Sequence, residues 1–135
     1  MGVKMFTKDD IAKNPILKTY PKNEYWITAG SGLVMHGVKT HTRDIDLGCS
    51  AMLADLLIKQ GAKWKLLEDG TRRLIDVAGD IEIFENWHVD SIVEIDGLSV
   101  ASLESIRKQK VELNRAKDWD DIALIDEAIQ KRGKS

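Results

Sequence analysis

Residues 25–47 read Tyr-Trp-Ile-Thr-Ala-Gly-Ser-Gly-Leu-Val-Met-His-Gly-Val-Lys-Thr-His-Thr-Arg-Asp-Ile-Asp-Leu, and the succession of residue types along them predicts the centre of the fold. Tyr25 to Thr28 are strand formers halted by Ala29-Gly30-Ser31-Gly32, after which Leu33, Val34, Met35 and His36 suit a short helix. The order is strand, glycine turn, helix. A polar loop from Lys39 to Arg43 leads into Asp44-Ile45-Asp46-Leu47, which alternates with the period of a half-buried strand ending near Gly48. In such a strand both carboxylates project to one side while Ile45 and Leu47 turn to the core.

Outward from this stretch the pattern stays mixed. Upstream, Thr7 and Asp10 have the spacing of a capping box, predicting a helix towards Asn14 or Leu17 that Pro15 kinks or ends. Downstream, Ala51 to Gln60 form an amphipathic helix closed by Gly61. Lys63–Leu67 and Arg72–Val77 flank an Asp69-Gly70 turn as a hairpin, and Asp80–Phe84 follows the Ala78-Gly79 turn as the last strand. From Val100 the spacing becomes helical, with Leu103, Ile106, Lys110 and Leu113 on one side. Arg115-Ala116 breaks it, and Lys117–Lys131 is a final helix with Ile122, Leu124, Ile125 and Ile129 as its apolar stripe. The expected class is therefore α/β (α+β): a small mixed sheet with helices packed on it and a C-terminal helical pair.

With 135 residues the chain suits one domain with a hydrophobic core and is short for two, so residues 1–135 are expected to form one domain. A net charge of −2 excludes the broad positive field of a non-specific nucleic-acid binder and leaves only local nucleic-acid contact open. Cys49 is the lone cysteine, Met1 to Phe6 lack the apolar run of a signal peptide, and no stretch approaches membrane-spanning length. A cytoplasmic protein without membrane association is expected.

Two adjacent carboxylates repel, and Asp44 with Asp46 becomes tolerable when a divalent cation sits between them; magnesium prefers such oxygen ligands, completed by phosphates and water. For an isolated Asp-x-Asp a solvated strand face is the commoner explanation, and alone the motif is weak. Gly30-Ser31-Gly32 at a strand-to-helix turn offers free backbone amides, and Ser31 a hydroxyl, to phosphate oxygens, although Gly-Ser-Gly is also an ordinary turn.

Taken together, Gly30-Ser31, Leu33-Val34-Met35-His36-Gly37 and Thr42-Arg43-Asp44-Ile45-Asp46-Leu47 resemble the signature of the minimal nucleotidyltransferases of the polymerase-β-like superfamily. Relatives include lincosamide-type antibiotic nucleotidyltransferases and the nucleotidyltransferase partners of some toxin-antitoxin pairs. The likeness extends through Val100 to Leu124, with Lys110, Arg115 and Lys117-Asp118 leading to Asp121. It implies magnesium, as two ions, held by Asp44, Asp46 and a third acid; Glu82 is the best match, with Asp80 and Asp76 as rivals. Glu82 would complete the second metal site or act as general base. Gly30 and Ser31 would hold the outer phosphates of an NTP, and Lys110 would contact the triphosphate. Relatives often carry arginine four residues before the first acid, where this chain has Thr40, so Lys39 and Arg43 are the nearest substitutes.

The leading expectation is a magnesium-dependent enzyme that moves an NMP group from an NTP, ATP by preference, to a hydroxyl on a small molecule. One competing reading has the same site modify tRNA or a protein, supported by Arg107, Lys108, Lys110, Arg115 and Lys117, which equally suit a solvated helix face. Another is a non-catalytic nucleotide- or protein-binding module, against which the three clustered acids argue. Little chain remains for an acceptor domain, so a homodimer or partner subunit is expected to complete the pocket. His36, His41 and His88 lack zinc-ligand spacing, Cys49 reads as a small buried residue, Arg115, Lys117 and Asp118 as a helix-start ion network, and the four tryptophans as core or rim.

Overall fold

Thr7 caps the first helix as its spacing predicts: its hydroxyl accepts from the Asp10 amide while the Asp10 carboxylate accepts from the Thr7 amide. The computed structural model describes residues 5–133, so Met1 to Lys4 lie outside the described residues. Helix α1 (Lys8–Ala12) ends ahead of Pro15, and Leu17–Thr19 forms a separate 3-10 turn. The residue before a proline is steered out of the helical region, which shortens the predicted run. Strand β1 (Tyr25–Thr28) passes directly into α2 (Ala29–Met35), so Gly30, Ser31 and Gly32 form the opening of the helix instead of a separate turn. Ala29, at φ 53°, takes the change of direction. Gly32 permits close approach: a Cβ there would lie 2.7 Å from Ile106 Cδ1 and 3.2 Å from the Ile27 carbonyl oxygen.

Strand β2 (Ile45–Cys49), helix α3 (Ala51–Lys59), the hairpin of β3 (Lys63–Leu66) and β4 (Arg73–Val77), and β5 (Ile81–Glu85) follow in the predicted order. Strand β5 is not the last. Two more strands, β6 (Ile92–Ile95) and β7 (Leu98–Ala101), turn on Asp96-Gly97, whose φ values are 51° and 80°. Val100 therefore lies in a strand, and helix α4 (Leu103–Leu113) begins three residues later, capped by the Ser102 hydroxyl on the Ser105 amide. Helix α5 (Ala116–Gly133) closes the helical pair.

The seven strands form one mixed sheet in the order β3-β4-β5-β2-β1-β7-β6, parallel only at β2–β5 and β1–β7. One face is the main core, where Ile27, Ile45, Leu47, Ile75 and Ile83 meet Ile11, Val34, Met35, Leu53 and Leu57 from the N-terminal helices. Helices α4 and α5 form a second cluster through Leu33, Ala101, Ile106, Ile125 and Trp26. Leu113 and Leu124, expected on the buried stripes, are 45% and 40% exposed. Ile122, Ile125 and Ile129 already make the inward i, i+3, i+7 line, and Leu124 falls on another side of the helix. The remaining sheet face, alternating half-buried with buried positions along β5, is left open to carry polar groups.

Trp26 ties the helical pair to this open face. It lies over its cross-strand partner Gly48, where a Cβ would come within 2.0 Å of the indole Nε1 and 2.3 Å of Cε2. A Gly48→Ala substitution must therefore displace an indole that also packs against Ile106 and Ile125. The expected loss is about 2–3 kcal/mol of unfolding free energy in urea titrations, the scale of overpacking in a filled core.

Candidate functional site

Strand register assembles one row across the open face: Thr28, Asp46, Glu82, Asp76 and Lys63, in β1, β2, β5, β4 and β3. Directly opposed residues share a face, and adjacent strands lie about 4.8 Å apart. Asp46 and Glu82 are thus immediate neighbours although 36 positions separate them in sequence. Asp44 stands exposed, two residues before Asp46, with its carbonyl accepting from the Thr42 hydroxyl at 3.2 Å. Asp76 is one strand further from Asp46 than Glu82, and its carboxylate accepts from the Gly79 amide at 3.1 Å. Asp80 precedes β5, where its carbonyl receives the Ile45 amide.

Asp46 sits in the wall of a cleft of about 800 Å³. Ala29 and Gly30 line it beside Asp46; Lys39, Lys110, Arg115, Lys117 and Asp121 line the helical side; Phe84 and Trp87 form an aromatic wall; and Leu67, Asp69 and Arg72 reach in from the β3–β4 loop. The rings of Phe84 and Trp87 meet edge to face at 4.9 Å. Glu82 opens instead into an adjoining depression of about 440 Å³, shared with Lys63, Lys65, Leu74 and Asp76.

Ser31 is fully buried and absent from the cleft wall. Its hydroxyl donates to the Thr28 carbonyl at 2.8 Å and accepts from the Asp46 amide at 3.0 Å. The side chain thereby fastens the opening of α2 to the strand residue that carries the central carboxylate. Gly30 does reach the cleft, with Thr42 Oγ1 3.1 Å from where a Cβ would stand.

Lys110 is buried rather than a surface lysine. Its ammonium lies 2.9 Å from Asp121 and 3.4 Å from Asp118, while Lys39 reaches the other Asp121 oxygen at 3.0 Å. Arg115 holds Asp118 at 2.6 and 3.0 Å, the helix-start network its position predicts. The Arg115 hydrogen bond keeps the Asp118 carboxyl down at about 2. Burial pushes Asp121 upward, but hydrogen bonds from Lys110 and Lys39 hold it below the usual carboxylate range. Asp121 was thus missed as the acid that gathers two cations from different elements, and Lys39, not exposed Arg43, brings charge to the cleft. The five-residue basic cluster divides: Arg107 pairs with Asp126 at 2.7 Å and Lys108 with Asp90 at 3.3 Å, outside the cleft. Cys49 is buried, its thiol pushed up to about 12 by burial and the nearby Glu85.

The carboxylate at Asp46 carries the largest electrostatic load in the row. Burial, then repulsion from Glu82 and Asp44, push it up to about 7, against the opposing pull of Lys110 and Lys117. Among the described residues no three His, Cys, Asp or Glu side chains are gathered as a ready-made metal cage. No helix among them is long and apolar enough to cross a membrane.

No family model matches the chain, and no curated protein matches its sequence. Solved structures do match. An antigenic nucleotidyltransferase-like protein from Paracoccidioides brasiliensis superposes with a TM-score of 0.52 at 15% identity, over 94% of this chain and 78% of that one. The Megavirus polyadenylate synthase gives the same score and identity over 89% of this chain and 34% of that one. The likeness shows the nucleotidyltransferase fold, in agreement with the fold expected from residues 25–47.

The raised Asp46 carboxyl has a defined sign for stability. Its folded value lies above its unfolded one, so the ionised group costs folding free energy above about pH 7, and the cost fades as pH falls to about 4. Asp46→Asn is expected to raise stability by on the order of 2–4 kcal/mol near pH 8 in metal-free buffer. The gain should vanish in melts near pH 4, and a pH-independent gain would contradict the account.

Proposed function

With the nucleotidyltransferase fold as premise, we propose that this chain transfers an NMP group from a nucleoside triphosphate, ATP by preference, to an acceptor hydroxyl, with magnesium held by Asp44 and Asp46. The observation that carries the reading is the position of Asp46, with acids on one side and the cations of the cleft on the other. The donor set fits a hard divalent cation: half-buried Asp46 is repelled by both Asp44 and Glu82, a repulsion that added positive charge relieves. Among the described residues fewer than three carboxylates converge, so a magnesium ion held by Asp44 and Asp46 would take phosphate oxygens and water to complete its shell. Magnesium bound there supplies charge neutralisation at the phosphates and at the departing pyrophosphate.

The chain's own residues account for the rest. Lys110 and Lys39, fixed through Asp121, face the outer phosphates, and Gly30 leaves room for them. Ser31 acts through Asp46, holding its backbone to α2. Phe84 and Trp87 offer a surface for the base. Glu82, next to Asp46 but open to the adjoining depression, receives the acceptor proton. The hydroxyl oxygen bonds to the α-phosphorus, the bond from that phosphorus to its bridging oxygen breaks, and pyrophosphate leaves. Positioning and charge neutralisation supply most of such a rate, and no covalent intermediate on the protein is needed.

Calorimetry with ATP and GTP, with and without magnesium, tests this reading. Binding is expected to require the metal and to weaken at least about tenfold in Asp44→Asn plus Asp46→Asn, the loss of a charged contact set. Metal-indifferent binding would assign the chain to a non-catalytic nucleotide-binding module, and no binding of either nucleotide would sink the proposal.

A further inference from the structure

The row of opposed residues does not end at the acids. Beyond Glu82 it continues through Asp76 to Lys63, and the next row runs Phe84, Leu74, Lys65. Lys63, Lys65, Leu74, Asp76 and Glu82 line one depression of about 440 Å³. Strand β3 is the border of the sheet, exposed along its whole length. We infer that the acceptor carries phosphate close to the hydroxyl it presents, and that Lys63 and Lys65 bind that phosphate. The inference rests on the transferase reading and names the class of acceptor for that site.

Pairing with acids separates these lysines from most of the cations that line the cleft. Lys39, Arg72, Lys110 and Arg115 are held by acids, whereas among the described residues Lys63 and Lys65, like Lys117 of the cleft, form no ion pair. Lys63 is not neutralised by Asp76 opposite it, whose carboxylate is turned to the Gly79 amide. The open face is therefore ordered as cations, acids, cations, from α4 and α5 across to β3. The first group suits the triphosphate, and the second lies on the far side of Glu82, where the acceptor must enter. Lys63 stands two strands from Glu82, so its Cα is about 10 Å away, a span that a lysine side chain and one sugar unit fill. Two free ammonium groups at that reach select an anionic acceptor, and phosphate is the anion that commonly neighbours a reactive sugar hydroxyl. Lysine on a border strand also discourages sheet-to-sheet pairing, a role that requires no ligand.

Binding measured with magnesium and a non-hydrolysable ATP analogue present separates these accounts. The probes are a fluorescent single-stranded oligoribonucleotide and, separately, ribose 5-phosphate. The proteins are the native chain, Lys63→Glu plus Lys65→Glu, and Lys18→Glu plus Lys59→Glu, whose exposed lysines line neither depression. The Lys63 and Lys65 reversal is expected to weaken at least one probe about tenfold or more, while the control pair stays within about twofold. For the oligoribonucleotide the logarithmic salt slope should also fall by about 1.4, for two lost contacts to a single strand. Loss confined to the oligoribonucleotide identifies a polynucleotide end as the acceptor, and loss confined to ribose 5-phosphate identifies a small phosphorylated one. Equal effects in both variants, no effect, or no binding of either probe overturns the inference. Binding of the ATP analogue is followed in the same samples. Its absence from the native chain would count against the transferase reading, whereas its presence beside an unaffected probe would count against the lysines alone.

Discussion

The Ser31 hydroxyl is the contact on which the site depends. It bridges the Thr28 carbonyl, at the end of β1, and the Asp46 amide, in β2, from inside the opening of α2. Three elements are thereby set at one point: the strand that delivers the chain, the helix that leaves it, and the strand that bears the acid. Without a small side chain of dual hydrogen-bonding capacity there, Gly30 and Asp46 would not share a wall. The parallel pairing of β2 with β5 then brings Glu82 alongside.

Around that point the molecule tolerates an electrostatic imbalance that a purely structural sheet would avoid. Elsewhere charge is satisfied locally, as where Arg73 bridges Glu85 and Asp55 at 2.6 and 2.7 Å. Along the open face, Asp46 is left among like charges and half-buried, opposed by Lys110 and Lys117, of which Lys110 is already shared with Asp118 and Asp121. Uncompensated repulsion of this kind is typical of sites built for a charged ligand.

Much of the architecture was legible because alternation of period two is strong where one face is buried. Asp44 to Leu47 and Asp80 to Phe84 announce their strands, and Thr7 with Asp10 announces a cap that the structure contains. Strands β6 and β7 escaped because the first is a border strand with little buried surface and the second is separated from α4 by the single residue Ser102. Asp96-Gly97 was the available signal, a dipeptide suited to the left-handed turn it adopts. The site divides in the same way. The acids could be nominated from spacing, but the neighbourhood of Asp46 and Glu82 arises from a parallel crossover that spans α3 and a hairpin. The burial of Lys110 depends on Asp118 and Asp121, which belong to the next helix. Nor does the sequence report which way the Ser31 hydroxyl points, since that follows from packing.

Ala29 carries a further consequence. It holds φ at 53°, a region where a residue with a Cβ is strained by about 1 kcal/mol and glycine is at ease. Glycine there would relax the junction but would also let its flanking peptide planes swing among several orientations. Alanine narrows that freedom, so the backbone bordering the cleft keeps one shape before anything enters it. A guest meets a stiff wall rather than a pliable one, and little disorder remains to be lost when it settles.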